Sequence, residues 1–290
     1  MRVLLLGPTG QLGGELQRAA PPRHELMVVP EAELDLRDAA AVQRLLQGVR
    51  PALVLNAAAY TDVDGAEAQP ELAHAINATA VRTLAGAVAA VAGRLIHVST
   101  DYVFDGQQGS PYAPDAPTAP INVYGASKRD GERHALELLG ERAVVVRTAW
   151  LYAAGGRNFV QTMLRLLRER PRVEVVDDQL GTPTWARSLA QALWQLAERP
   201  DLQGVQHFTD AGTASWYDLA VAVREEGQAL GLLAQPGAVL PIPSSAMPRP
   251  ARRPACSVLD KHATWSALGA APPHWREALR QMLCEVRDGG

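Results

Sequence analysis

The sequence predicts an α/β protein: a doubly wound parallel sheet with a smaller C-terminal substrate-binding lobe. Three observations predict it. Short apolar runs alternate with helical stretches through the first half of the 290-residue chain, and such alternation builds parallel sheets. A glycine-spaced turn joins the first run to the first helical stretch. After about residue 153 the alternation loosens into shorter strands, helices and a proline-rich segment.

Taken in order, Arg2–Leu6 reads as a buried first strand. Gly7-Pro8-Thr9-Gly10-Gln11-Leu12-Gly13 follows and opens a helix to about Ala20. Glycines at this spacing allow a tight turn and close approach of a pyrophosphate, which the free N–H groups of a helix N-terminus then hold. A plain glycine-rich turn is the alternative. His24–Val29 reads as the second strand. At the end of that strand an Asp would favour a ribose 2′-OH and an Arg a 2′-phosphate. Val28-Val29-Pro30-Glu31 gives neither signal, so NADH and NADPH both stay open.

Leu34-Asp35-Leu36 reads as a short third strand, Asp35 being either a turn carboxylate or an adenine contact. Asp38 caps a helix to about Gly48. Ala52–Leu55 is the next strand, and Asn56-Ala57-Ala58-Ala59-Tyr60-Thr61 at its end is small enough for a flat cofactor to lie on the backbone. Asp62, Asp64 and Glu67 read as a solvated loop and helix start, so no metal site is expected. Pro70–Val91 reads as one long helix, with Asn77 inside it as a packing hydrogen-bonder.

Arg94–Val98 is a strand, Gly106–Asn122 a proline-punctuated loop, Tyr124–Leu139 a helix and Ala143–Val146 a strand. Beyond them, helices are expected over Asn158–Arg170, from the 178–184 loop to about Glu198, over Trp216–Gly231 and over Arg276–Val286. Short strands are expected at Val173–Val176 and Val205–Phe208. The segment Pro236–Pro254 combines prolines with Arg249, Arg252 and Arg253.

Composition narrows the function. The net charge is −3 with no block of like charges, so neither nucleic acid nor a membrane surface is an expected partner. No apolar run is long enough to span a bilayer. Two cysteines without metal-ligand spacing fit a reducing, cytoplasmic setting.

The chemistry lies between Ser99 and Lys128. Thr100 ends an apolar run, and Tyr124 and Lys128 stand four residues apart on one helical face, where they can meet. A free tyrosine, with a pKa of about 10, is a poor acid at neutral pH. A neighbouring ammonium would stabilise the phenolate and make the phenol a usable proton donor to a carbonyl. Of the 28 lysines and arginines only Lys128 and Lys261 are lysine. A lysine kept at this position in an arginine-rich chain supports the functional reading over an exposed helix pair.

These motifs together resemble the extended short-chain dehydrogenase/reductases. The 4,6-dehydratases of that superfamily have Thr-Asp-Glu where this chain has Thr100-Asp101-Tyr102. Ser99-Thr100-Asp101-Tyr102-Val103-Phe104-Asp105-Gly106 instead resembles the dTDP-4-dehydrorhamnose reductase family. So do Asn56–Ala59, Asn122–Gly125, Arg147–Trp150, Asn158-Phe159, Asp178–Thr184 and Arg253-Pro254, along nearly the whole chain. The pattern divides the chain into a Rossmann core over 1–152 and mixed segments over 153–290 that complete the sheet and form the substrate lobe. The resemblance implies reduction of the C4 ketone of dTDP-4-dehydro-L-rhamnose by NADPH or NADH.

By the same resemblance Tyr124 is the proton donor and Lys128 tunes it and holds the nicotinamide ribose. Thr100, Asp101 and Trp150 meet the sugar, though Trp150 is also readable as a core aromatic. Gly7, Gly10, Gln11, Leu12 and Gly13 hold the pyrophosphate. Asp35 and Leu36, then Ala59, Tyr60 and Thr61, line the cofactor site, and Arg253 reaches the diphosphate. The oligomeric state stays open, a homodimer being allowed for. Two alternatives remain: a non-catalytic NADP-binding subunit like that of methionine adenosyltransferase, and another nucleotide-sugar reductase or epimerase.

Overall fold

The computed structural model describes residues 1–289. Its central sheet is built from β1 (Arg2–Leu6), β2 (Glu25–Val29), β3 (Leu53–Asn56), β4 (Arg94–Thr100), β5 (Ala143–Thr148) and β6 (Gly204–His207). All six strands are parallel, in the spatial order β6-β5-β4-β3-β1-β2. The order reverses between β1 and β3, which opens a crevice beyond their carboxyl ends.

Alternation along β1 shows why both faces are covered. Val3 and Leu5 point into a core with the helices Gln11–Arg18 and Ala186–Ala197. Leu4 and Leu6 point into a second core with Ala39–Val49, Ala80–Ala90 and Val123–Leu139. Beyond Arg2 the strand is apolar at every position, as a sheet clad on both sides requires. A third core gathers residues from Tyr152 to Leu283, including Val160, Leu167, Leu219 and Leu279, under the C-terminal lobe.

Three stretches depart from the expectations. Leu34–Leu36 forms no strand. The backbone turns at Pro30 and again at Asp35, whose carboxylate takes the Arg37 N–H at 2.9 Å. That local bond offers the chain an alternative to pairing with the β2 edge. The helix expected over Pro70–Val91 is interrupted by a π turn at Ala75–Thr79. There Asn77 Oδ1 accepts the Tyr60 N–H at 2.9 Å, and its amide donates to the Tyr60 carbonyl and to Ser127 Oγ. A π turn re-aims one side chain without ending the helix.

The proline-rich segment contains a strand, Ala238–Ile242, paired in parallel with Arg172–Val176. Pro241 is tolerated there because a two-stranded ribbon has only edges. A short helix at His262–Leu268 was also not expected.

The Val123–Leu139 helix approaches its neighbours through glycines. A Cβ on Gly131 would stand 2.1 Å from the Asn77 carbonyl oxygen. Gly131→Ala is expected to cost about 1–3 kcal/mol, the usual range for overpacking. A thermal melt checks this: Tm should fall by a few degrees, and an unchanged Tm would show that the helices separate freely.

Candidate active site

Thr100 is the last residue of β4, where open α/β sheets bind ligands. The chain then tightens into a 3₁₀ turn, Asp101–Val103, with Thr100 Oγ1 accepting the Tyr102 N–H at 3.2 Å. The Val123–Leu139 helix starts against that turn. Asn122 caps it by accepting the Gly125 N–H at 2.7 Å, and donates to the Arg252 carbonyl at 2.8 Å. Gly125 leaves no room for a side chain, since its Cβ would lie 2.0 Å from the Tyr102 carbonyl oxygen. This contact carries Tyr124 to Thr100. Burial pushes the Tyr124 phenol up to about 12, while the Thr100 hydroxyl pulls it back.

Asp101 is buried between two hydroxyls. Thr100 Oγ1 donates to one carboxylate oxygen at 3.0 Å and Ser257 Oγ to the other at 2.5 Å. Burial pushes the carboxyl up to about 7, against the pull of these donors.

Lys128 is 2% exposed. Its ammonium does not pair with the Tyr124 phenol as the spacing suggested. Nζ instead donates to the Val98 carbonyl at 2.7 Å and lies 3.4 Å from His97 Nε2. Burial brings Lys128 down to about 8, and Glu132 one turn later pulls it back up. Glu132 is itself buried, receiving Arg147 on both oxygens at 2.9 and 2.7 Å and Ser99 Oγ at 2.5 Å. The other lysine, Lys261, is likewise only 6% exposed, its Nζ reaching Thr182 Oγ1 and the Gly212 carbonyl.

The N-terminal turn has the shape of a dinucleotide cradle. Gly7 adopts φ +75°, and a Cβ there would meet the Ala58 nitrogen at 2.6 Å. A Cβ on Gly13 would stand 2.1 Å from the Gly7 carbonyl oxygen. The helix Gln11–Arg18 has no side-chain cap at Gly10, so its first N–H groups are free for an anion. These residues, with Leu12 behind them in the core, fit a pyrophosphate. Ala59, Tyr60 and Thr61 follow the end of β3 as irregular backbone, with Tyr60 held by the Asn77 clamp. Leu36 packs on the sheet, whereas Asp35 is exposed and gripped by Arg37, which holds its carboxyl below the usual range. Gln11 crosses to the lobe, accepting from Asn158 Nδ2 at 2.9 Å.

Between core and lobe lies a cleft of about 880 Å³. Thr100, Asp101, Tyr102 and Tyr124 line it, together with Trp150, Phe159 and Trp216 and the arginines 170, 172, 249 and 253. Trp150 stacks on Trp216 with ring centres 3.6 Å apart and planes 8° from parallel. Its backbone is left-handed, φ +46°, a conformation that costs a bulky residue on the order of 1 kcal/mol or more. The indole edge fills the space beside Gly181, where a Cβ would come within 2.5 Å of the ring. Arg253 faces the cleft while paired with Asp64 at 2.9 Å.

Sequence reasoning missed Ser257, His97 and Trp216 as parts of this site. The first and last come from segments remote in sequence, with no local signal. His97 was readable only as a strand residue, although a polar residue in an otherwise apolar strand is itself a signal.

A pyrophosphate cradle and a phenol beside a threonine at the cleft are the apparatus of the short-chain dehydrogenase/reductases, oxidoreductases that use NAD(P)H. Comparison narrows the class. The chain belongs to the family described as RmlD substrate binding domain, which matches residues 1–288. It is 42% identical over 303 residues to the dTDP-4-dehydrorhamnose reductase of Burkholderia thailandensis, covering 99% of both chains. It is 43% identical to a probable dTDP-4,6-dihydroxy-2-methyloxan-3-one 4-ketoreductase of Streptomyces antibioticus, over 99% of this chain and 96% of that one. The structure of dTDP-4-dehydrorhamnose reductase from Bacillus anthracis in complex with NADP superimposes with a TM-score of 0.92 at 35% identity, covering 98% and 99% of the two chains.

The Asp101 environment makes a prediction. A carboxyl whose folded pKa lies above its unfolded value of about 4 penalises folding as pH rises from 4 toward 7, because the unfolded chain ionises first. Asp101→Asn removes that penalty. Its melting temperature should match the wild type near pH 4 and exceed it at pH 8. Equal Tm values at pH 8 would mean that Asp101 ionises without cost.

Proposed function

We propose that the protein reduces the C4 ketone of dTDP-4-dehydro-L-rhamnose to dTDP-L-rhamnose, using NADPH or NADH. The observation that carries this reading is the meeting of Thr100 and Tyr124 at the mouth of β4, in a cleft that also holds arginines and an indole pair. The full-length family match supports it. Tyr102 also supports it, since it stands where a dehydratase would need a carboxylate base.

The bound NAD(P)H supplies the hydride to C4; the chain supplies the proton and the placement. Gly7, Gly10, Gln11 and Gly13 hold the pyrophosphate on backbone N–H groups. Asp35 and Leu36 line the adenosine end, and Ala59–Thr61 the middle of the cofactor. Thr100 and Tyr124 hold the ketone oxygen between two hydroxyls, and Tyr124 gives up its proton as charge develops there. A phenol at about 12 needs help to do so. Lys128, one turn along the same helix, would hold the nicotinamide ribose with its N–H groups, and its positive charge would lower the cost of the phenolate. Asp101, largely neutral below pH 7, adds little charge of its own to oppose that step. Trp150 packs against the sugar. Arg253, once it exchanges Asp64 for phosphate oxygens, meets the diphosphate, the anion that a guanidinium fork matches.

Tyr124→Phe should lower kcat by about 10²-fold or more with the fold retained by circular dichroism. Full activity in that variant would remove Tyr124 from the proton-donor role. Lys128→Ala should raise KM for the cofactor and lower kcat together. The deciding assay is oxidation of NADH and NADPH, at matched concentrations, with dTDP-4-dehydro-L-rhamnose. Cofactor binding without sugar-dependent turnover would overturn the assignment.

A further inference from the structure

Behind Lys128 runs a buried chain of polar groups that the proposed mechanism does not use. His97 is fully buried on β4, and burial holds its imidazole well below its ordinary pKa, so the ring is neutral. A neutral imidazole has one N–H and one lone pair, and its neighbours decide which nitrogen carries which. Asn56 lies 2% exposed at the end of β3, with its amide nitrogen 3.1 Å from His97 Nδ1.

The orientation of that amide is fixed from its other side. Asn56 Oδ1 accepts the Ala58 N–H at 3.2 Å. Ala58 cannot turn that N–H away, because the Gly7 backbone is packed against it, as the absent Cβ of Gly7 shows. Asn56 therefore presents its NH₂ to His97, and Nδ1 must accept. The proton of His97 is left on Nε2, the nitrogen 3.4 Å from Lys128 Nζ.

A donor thus faces a donor. When Lys128 is an ammonium, His97 offers it nothing to bind, and the Val98 carbonyl at 2.7 Å is its good protein acceptor. When Lys128 is an amine, its lone pair can take the His97 N–H. The other charged and titratable groups around Lys128 are Glu132 on its own helix, Arg147 from β5 holding that carboxylate, and Tyr124 one turn earlier. His74 and Asp130 pair on the outer side of the same helix. Of these, Glu132 favours the ammonium, and its charge is already shared with Arg147.

We propose that His97 is a positioning residue for Lys128: locked as the Nε2–H tautomer by Asn56, it leaves the ammonium short of one acceptor inside the protein. The unmet N–H groups then point to the ligand. A hydroxyl-bearing ligand such as the cofactor ribose supplies the missing acceptor, so ligand binding and proton retention at Lys128 favour each other. This inference rests on Lys128 being the ribose-binding residue only for its consequence in catalysis. The tautomer and its effect on Lys128 stand apart from turnover.

The scarcity of lysine makes the test direct. Protein labelled with ¹³C at the lysine ε-carbon shows two side-chain resonances, assigned with Lys261→Arg. Without cofactor or substrate, Lys128 should titrate near pH 8 in the wild type. In His97→Gln the amide oxygen is free to turn toward Nζ, and the midpoint should rise by about one pH unit, tenfold in proton affinity. A midpoint that stays or falls overturns the proposal. Independently of any variant, ¹⁵N-histidine spectra of the wild type should show His97 neutral from pH 6 to 9 with its proton on Nε2. A proton on Nδ1 overturns it too. Neither measurement needs activity, so a protein that failed to reduce the dTDP-sugar would still reveal the tautomer of His97 and its effect on Lys128.

Discussion

The site depends on one close approach, that of the Val123–Leu139 helix to the turn after β4. Gly125 lets the helix start directly on the Tyr102 carbonyl, and Gly131 lets it continue against the π turn at Asn77. Tyr124 is next to the first of these contacts and Lys128 lies three residues from each, so both chemical groups are placed by backbone rather than by side-chain packing. A phenol carried by a flexible loop would lose rate with every ångström of drift. Here the helix cap Asn122 adds about 1 kcal/mol of local stability. It also ties the helix start to the Arg252 carbonyl, and so to the segment that brings Arg253 and Ser257.

The same helix is anchored from below by charge. Glu132 and Arg147 are almost wholly buried, and together with Ser99 and the Pro114 carbonyl they satisfy most of each other's hydrogen-bonding capacity. Burying such a pair is weakly favourable at best, whereas removing one partner leaves a naked charge at a cost of several kcal/mol. Its value here lies in register. The pair joins the helix to β5, while Lys128 joins it to β4 through the Val98 carbonyl one turn earlier. A slip of one residue along the helix would break both links.

Much of this was legible in the sequence because it is local. The G-x-x-G-x-x-G turn, the alternation of apolar runs and the four-residue spacing of Tyr124 and Lys128 are short-range patterns with direct geometric meaning. What escaped was non-local or competitive. Leu34–Leu36 has strand-like residues, but Asp35 closes a turn on Arg37 instead. Asn77 was readable as a packing residue, yet its grip on Tyr60 needs a π turn that no propensity announces. Lys128 turns to Val98 rather than to Tyr124 because a backbone carbonyl at a strand end is an acceptor that helical spacing cannot reveal. Ser257 reaches Asp101 across 156 residues of sequence.

The burial of both lysines bears on the reactivity of the native surface. The chain carries many guanidinium groups, yet the ε-amines of both its lysines are shut inside, Lys128 being 2% and Lys261 6% exposed. Acylating reagents, reducing sugars and aldehyde cross-linkers attack amines and largely spare guanidinium. Against the folded protein they find no lysine on the surface. Slow acylation at the two lysines would in turn count the moments when the interior opens.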